Sequence, residues 1–201
     1  MVNEIYANAC HQPMSWGYLT LIAFTALAYS HAMIRGYRTG SHRSVWVPLL
    51  LLAFGGMVAG TVYVGIGPAW QGRSSHALGT VLCLAAVSLF LLSHRQHCEV
   101  KPCIAFASEE PAAFVTSGPY RFIRHPIYSA YLLSVIGFGV YSGHPFFVFA
   151  FALLFALYSD AAAREVRDFL RSTFADRYRV YLRQTGRFLP ELHATPPNKL
   201  P

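Results

Sequence analysis

The sequence predicts an all-α, polytopic membrane protein with five transmembrane helices and a C-terminal amphipathic cytoplasmic helix. Hydrophobic residues make up 54% of the 201 residues and charged residues only 12%, a balance that soluble domains rarely show. The apolar residues are gathered in long runs, and the basic residues cluster between alternate runs. We therefore expect a single integral-membrane domain over residues 1–201.

Five apolar runs supply the predicted spans. They cover residues 16–34, 45–66, 77–93, 126–141 and 145–163. At about 1.5 Å per residue most of them reach across a hydrocarbon core of roughly 30 Å, and the fourth falls short. The fourth run is expected to tilt little, or to form half of a tight hairpin with the fifth through the sequence SGHP.

The basic residues predict the orientation, because Lys and Arg are retained in short cytoplasmic loops. With the N-terminus outside and the C-terminus in the cytoplasm, all of the 16 Lys and Arg residues except Arg73 fall on the cytoplasmic side. The formal net charge of +7 is then explained by topology and by attraction to anionic lipid. It does not indicate nucleic-acid binding.

Two cytoplasmic segments are long enough to build a site: the loop 94–125 and a tail helix expected over residues 164–185. In the tail, apolar residues recur at helical spacing while arginines occupy the other face. The apolar positions are Val166, Phe169, Leu170, Phe174, Tyr178, Tyr181 and Leu182. Such a helix either lies on the lipid headgroups as an anchor or covers a site made by the loop.

The stretch YRFIRHPIY, residues 120–128, places Arg121, Arg124 and His125 directly before the fourth span. Pro126 suits the first turn of a helix, because its missing N–H would have no partner there anyway. Free backbone N–H groups and basic side chains at this point would attract a carboxylate or a phosphate. The alternative interpretation is that the same residues are interfacial anchors.

The stretch HRQHCEVKPC, residues 94–103, holds two histidines and two cysteines near a predicted span end. Its cysteine spacing fits no common zinc site, so we expect no metal cofactor. The 4 cysteines of the chain give no disulfide framework either.

Two blocks of sequence resemble a known family. VTSGPYRFIRHPIY, residues 115–128, and FADRYRVYLRQTGRFLP, residues 174–190, are similar to motifs of the isoprenylcysteine carboxyl methyltransferase family. That family lies in the phospholipid methyltransferase superfamily of integral-membrane methyltransferases. The resemblance implies that S-adenosylmethionine binds between the loop, the ends of the last two spans and the tail helix.

Transferred residue by residue, the resemblance implies a set of cofactor contacts. These are Phe114, Val115, Tyr120, His125, Pro126, Ile127, Tyr128 and Glu165. Aromatic faces such as those of Tyr120 and Tyr128 suit a sulfonium cation, and the basic helix start suits a carboxylate. Glu165 suits ribose hydroxyls or an ammonium group.

The sequence also departs from the family pattern. Ala112 stands where the family often has a histidine, and Val166 replaces the second of two glutamates. Ala161 stands where the prenylcysteine enzymes have an arginine one helical turn before the glutamate. The residues therefore define the cofactor better than they define the methyl acceptor.

The expected function is S-adenosylmethionine-dependent methyl transfer to an amphiphilic or apolar acceptor at the cytoplasmic membrane interface. Asp160, Arg164 and Arg124 are the candidate catalytic residues, although Asp160 and Arg164 are also spaced to form an ion pair along a helix. A carboxylate acceptor needs positioning more than a base. An amine or hydroxyl must lose a proton, for which Asp160 or Glu165 is the nearest candidate.

Two other functions stay open. One is a membrane reductase related to the sterol reductases, whose C-terminal region resembles this architecture but whose chains are longer. The other is a scaffold or small transporter that keeps the fold without the chemistry. For the methyltransferase, the expected partners are membrane lipids and a lipophilic small molecule or lipid as substrate.

Overall fold

The computed structural model describes residues 20–29, 60, 73–100 and 115–191, and every regular element within these ranges is helical. We number the helices in chain order. They are α1 (Thr20–Tyr29), α2 (Arg73–Val100), α3 (Pro126–Ser142), α4 (Phe146–Arg171) and α5 (Ala175–Gln184). A short 3-10 turn, Gly118–Arg121, precedes α3. The described part of the chain is therefore all-α, as the sequence predicted.

Two of these helices are long and apolar enough to cross a membrane: the stretch Ser75–Gln96 within α2, and the whole of α4. α3 is apolar but has only 17 residues, in agreement with the short fourth run. Apart from Gly60, residues 45–66 lie outside the described residues, so the count of five spans stays a prediction. Residues 101–114 lie outside them as well, and these include Ala112 and Phe114.

Small residues allow α2 and α3 to approach closely. A Cβ atom placed on Gly137 of α3 would lie 2.6 Å from Sγ of Cys83, and one placed on Gly79 of α2 would lie 2.6 Å from Cβ of Tyr141. Both separations are too short for real atoms, so a larger residue would push the helices apart. The buried apolar side chains between them include Cys83, Val87, Phe90, Ala130, Val135 and Phe138.

A polar contact joins α1 to α3 among these apolar side chains. Oη of Tyr29 is 2.5 Å from Oγ of Ser134, and Tyr29 is completely buried. The Tyr29 ring also packs on Phe90 of α2, with ring centroids 4.4 Å apart. Because each hydroxyl satisfies the other where water is absent, the contact fixes α1 against both helices.

α3 and α4 form the tight hairpin that the SGHP sequence indicated. Gly143 ends α3 in the left-handed conformation, with φ of 66°, and its N–H donates to the Gly139 carbonyl at 2.8 Å. Glycine adopts this conformation without steric cost, which makes it the usual residue after a helix end. Nδ1 of His144 then accepts from the Phe146 N–H at 3.1 Å, so the next helix starts at once.

The tail differs from the single helix expected over residues 164–185. α4 continues to Arg171, and the chain then breaks at Ser172 before α5 begins. Oγ of Ser172 donates to the Phe169 carbonyl at 2.8 Å and accepts from the Phe174 N–H at 3.2 Å. A serine side chain that competes for backbone groups in this way ends a helix. α5 therefore folds back, and Tyr178 packs on Phe169 with ring centroids 4.6 Å apart.

Candidate active site

The start of α3 is set by local sequence. Pro126 is its first residue and is buried, and the preceding His125 has non-helical backbone angles. The His125 side chain makes no capping hydrogen bond to this turn, although residues before a helix often do. The N–H group of Ile127 lies in the first turn, at the positive end of the helix dipole.

A single carboxylate joins the start of α3 to α4. Oε2 of Glu165 lies 2.9 Å from Nδ1 of His125, and its other oxygen, Oε1, accepts from the Tyr128 hydroxyl at 2.5 Å. His125 is 6% exposed and the Glu165 side chain 16% exposed, so water competes weakly for these contacts. We call these three residues the carboxylate triangle. It brings together three of the predicted cofactor contacts.

The second ring nitrogen of His125 is the notable atom of the triangle. Nε2 is buried and has no hydrogen-bond partner among the described residues. Nδ1 is engaged by Glu165, so Nε2 accepts a hydrogen bond when the ring is neutral and donates one when it is protonated. A buried polar atom of this kind indicates a ligand or an ordered water at that position.

Aromatic rings extend from the triangle along α3 and α4. The ring of His125 stacks on Tyr128 with centroids 5.5 Å apart, and Tyr128 stacks on Tyr158 at 4.8 Å. The ring centroid of Tyr158 in turn lies 5.8 Å from that of Tyr131. Electron-rich ring faces at this location suit a cation or an apolar group. Tyr158 was not predicted, although its position two helical turns before Glu165 places both on one face of α4.

The 3-10 turn before α3 is in contact with α5. Tyr120 and Val115 are buried, and the Tyr120 carbonyl accepts from the Tyr181 hydroxyl at 2.7 Å. Burial raises the pKa of Tyr181 and of Tyr178, because the charged phenolate would lose its hydration there. The Tyr181 hydroxyl thus joins α5 to the turn that contains Tyr120, one of the predicted cofactor contacts. That the tail covers a cofactor site stays a prediction.

The guanidinium of Arg124 points to the end of α5. Nη1 donates to the Leu182 carbonyl at 2.7 Å and also to the Thr185 carbonyl. Burial lowers the pKa of Arg124, since the cation is partly removed from water. These contacts fix the backbone at the end of α5. The catalytic role of Arg124 suggested by the sequence stays a prediction.

Asp160 and Arg164 form an ion pair with each other. Nη2 of Arg164 lies 2.8 Å from Oδ2 of Asp160, one turn apart on α4, and the side chains are 41% and 46% exposed. The ion-pair interpretation of these residues is therefore confirmed. Neither side chain is part of the carboxylate triangle, and their role towards an acceptor stays a prediction.

The described residues thus define a membrane protein with a buried polar site where two apolar helices meet. Comparison with known proteins identifies the family. The model of the phospholipid methyltransferase family matches residues 74–177, a range that contains the whole carboxylate triangle. The chain belongs to this family, and the resemblance seen in the sequence is confirmed at the level of the superfamily.

Two curated relatives match parts of the chain. The chain is 32% identical over 123 residues to the cobalt-zinc-cadmium resistance protein CzcN of Cupriavidus metallidurans, covering 61% of this chain and 54% of that protein. It is 33% identical over 78 residues to the nickel-cobalt-cadmium resistance protein NccN of Alcaligenes xylosoxydans xylosoxydans, covering 39% of this chain and 36% of that protein. The chain therefore spans about half the length, or less, of the curated relatives it matches.

Proposed function

We propose that this protein transfers a methyl group from S-adenosylmethionine to an amphiphilic or apolar acceptor at the cytoplasmic membrane interface. The observation that carries the proposal is the carboxylate triangle with its unpaired, buried Nε2 of His125. It lies inside the stretch that matches a family of methyltransferases. The motif that resembles the isoprenylcysteine branch supports the same cofactor.

The residues present fit this cofactor chemically. The first turn of α3 places the N–H of Ile127 at the positive end of the helix, a position that favours a carboxylate. Nε2 of His125 adds one further hydrogen-bonding atom. Among the described residues each Glu165 oxygen has one polar contact, and a carboxylate oxygen can accept a second hydrogen bond, so Glu165 suits ribose hydroxyls or an ammonium group.

When bound, S-adenosylmethionine supplies an electrophilic methyl group, and the protein has to orient it towards the acceptor and keep water out. The carboxylate triangle fixes the ring of His125 and the hydroxyl of Tyr128, which holds the site in one geometry before any ligand binds. A carboxylate acceptor then needs no base. For an amine or hydroxyl acceptor, Asp160 is the exposed carboxylate through which a proton can reach water.

The acceptor is proposed to enter from the lipid. α4 carries strongly exposed apolar side chains before it reaches the site, including Val148, Phe149, Leu153 and Phe155. In a membrane these side chains face acyl chains, so a molecule with an apolar tail can approach Glu165 along the same helix. Phe155 also packs near Phe188, with ring centroids 5.8 Å apart, at the edge of the site.

Thermal unfolding of the detergent-purified protein tests the cofactor directly. A ligand that binds only the native state raises the apparent stability, so S-adenosylmethionine or S-adenosylhomocysteine should raise the midpoint temperature and NADPH should not. Stabilisation by NADPH alone would support the reductase alternative. No response to any of the three would support a scaffold or transporter.

The names of the two relatives suggest a physiological setting. We infer that methyl transfer alters a membrane component with which metal cations interact, because esterification of a carboxylate removes a negative charge that attracts them. Cells that express the protein should then tolerate cobalt, zinc or cadmium better than cells that express Glu165→Gln. Equal growth of the two strains in all three metals would contradict this inference and leave the cofactor proposal intact.

A further inference from the structure

The chain that follows α5 returns to the start of α3. We call residues 185–188 the return segment. Ile123 and Gly186 form an isolated parallel bridge, in which the Gly186 N–H donates to the Phe122 carbonyl at 3.1 Å and the Arg124 N–H donates to the Gly186 carbonyl at 2.8 Å. Two segments about sixty positions apart in sequence are thus joined by their backbones.

The side chain of Arg124 contacts the chain where the return segment begins. Its Nη1 atom donates to the carbonyls of Leu182 and Thr185, which lie at the end of α5 where helical carbonyls have no partner within the helix. A cation at a helix C-terminus is also favoured by the helix dipole. One side chain therefore caps α5 and fixes the point from which the return segment leaves it.

The return segment in turn contacts His125 and its surroundings. The His125 N–H donates to the Arg187 carbonyl at 3.2 Å, and Oγ of Ser129 donates to the Phe188 carbonyl at 2.6 Å. The ring of Phe188 lies 6.1 Å from the ring of His125. The backbone and one ring neighbour of His125 are therefore set by the return segment, while Glu165 sets Nδ1.

We propose that Arg124 is a positioning residue that couples the end of α5 to His125 and thereby sets the affinity for the cofactor. The inference rests on the proposed function and goes beyond it, because it assigns part of the binding energy to a residue that need not contact the ligand. Displacement of the return segment removes the acceptor of the His125 N–H. The His125 backbone then loses its support, so the ring and its Nε2 atom shift relative to α3 even where Glu165 still contacts Nδ1.

Arg121 provides a matched control. It is exposed, lies three residues earlier in the same basic stretch, and contacts the ring of Phe122 at 5.7 Å from the centroid. Arg121→Gln removes the same charge three residues away and leaves the hydrogen bonds of Arg124 to the end of α5 in place. An effect of charge on the membrane surface would therefore appear in both variants, and an effect of positioning only in Arg124→Gln.

Calorimetry of S-adenosylhomocysteine binding to the full-length protein in detergent tests the proposal. Arg124→Gln should bind about tenfold more weakly than wild type, while Arg121→Gln should bind equally well. Arg124→Lys should recover part of the loss, because an ammonium group can still donate to carbonyls. Equal affinities of wild type and Arg124→Gln would overturn the proposal.

Hydrogen exchange separates this proposal from the cofactor assignment. In the ligand-free protein, Arg124→Gln should accelerate exchange over residues 182–188 and at the His125 N–H but leave α2 unchanged. If wild type binds no S-adenosylhomocysteine, the proposed function fails, and unchanged exchange at His125 would overturn the coupling by itself. Should Arg124→Gln fail to fold, Ser129→Ala removes the hydroxyl that contacts both the Phe188 carbonyl and the His125 carbonyl, and it should lower the affinity by a smaller factor.

Discussion

Nδ1 of His125 lies 2.9 Å from Oε2 of Glu165, although the two residues belong to different helices and are forty positions apart. The contact places a titratable ring from the start of α3 against a carboxylate near the C-terminal end of α4. Because both side chains are largely buried, neither can turn away into water without losing its partner. The site is therefore assembled by the packing of the two helices and does not wait for a ligand.

Glu165→Gln should weaken S-adenosylhomocysteine binding, because the substitution keeps the shape of the side chain and removes its charge. Loss of a charge-assisted hydrogen bond in a partly buried site costs about 1.5–3 kcal/mol, or roughly ten- to hundred-fold in affinity. Calorimetry measures the effect, and Asp168→Asn, at an exposed carboxylate on the same helix, is the control. If both variants bind like wild type, Glu165 is not a cofactor contact.

Asp160→Asn and Arg164→Ala should leave cofactor affinity unchanged. The two side chains are about half exposed and pair with each other, so removal of either breaks a weak surface contact outside the carboxylate triangle. If they serve the acceptor, turnover should fall while S-adenosylhomocysteine affinity stays within about twofold, a difference of less than 0.5 kcal/mol. A large loss of affinity would show that the cofactor reaches this part of α4.

Gly137→Ala should destabilise the protein by about 1–3 kcal/mol, because the new methyl group would meet Sγ of Cys83 at 2.6 Å. Thermal unfolding in detergent measures the loss. Cys83→Ala combined with Gly137→Ala should recover part of it, since the sulfur is removed from the point of contact. Additive effects of the two substitutions would mean that the helices adjust elsewhere.

The orientation predicted from the basic residues can be tested with single cysteines, placed in a background without the native ones. Cysteines at Arg38 and Arg183 should be protected from an impermeant thiol reagent in intact cells, and a cysteine at Arg73 should react. Labelling of Arg183→Cys from outside would invert the topology. The proposed site would then lie on the opposite side of the membrane from cytoplasmic S-adenosylmethionine.

Local sequence was enough to predict the start of α3 and the hairpin that follows it. Pro126 restricts its own φ and Gly143 permits the left-handed conformation that ends α3, so neither effect depends on distant residues. Glu165 was found through the resemblance to a family, and its contact with His125 then follows from the packing of α3 and α4. The break at Ser172 was missed because the apolar positions continue at helical spacing on both sides of it.

The contacts of Arg124 could not be predicted from sequence. They join residues about sixty positions apart, and their acceptors are backbone carbonyls, which every residue type has. An arginine before a helix can equally be an anchor to the membrane surface, a catalytic group or a hydrogen-bond donor to the end of another helix. Only the path of the chain after α5 distinguishes these roles.

The path of the return segment predicts which sequence changes the protein tolerates there. The return segment contacts the site mainly through carbonyls of the main chain, so a substitution at Arg187 leaves these hydrogen-bond acceptors in place. Thr185 is more restricted, because it is buried and its hydroxyl donates to the Tyr181 carbonyl at 2.7 Å. Gly186 is restricted as well, because a side chain there would collide with the Leu189 carbonyl. Among related proteins this region can therefore drift in identity while it keeps its length and its glycine. Insertions and deletions between Gln184 and Leu189, more than substitutions, are the changes we expect selection to remove.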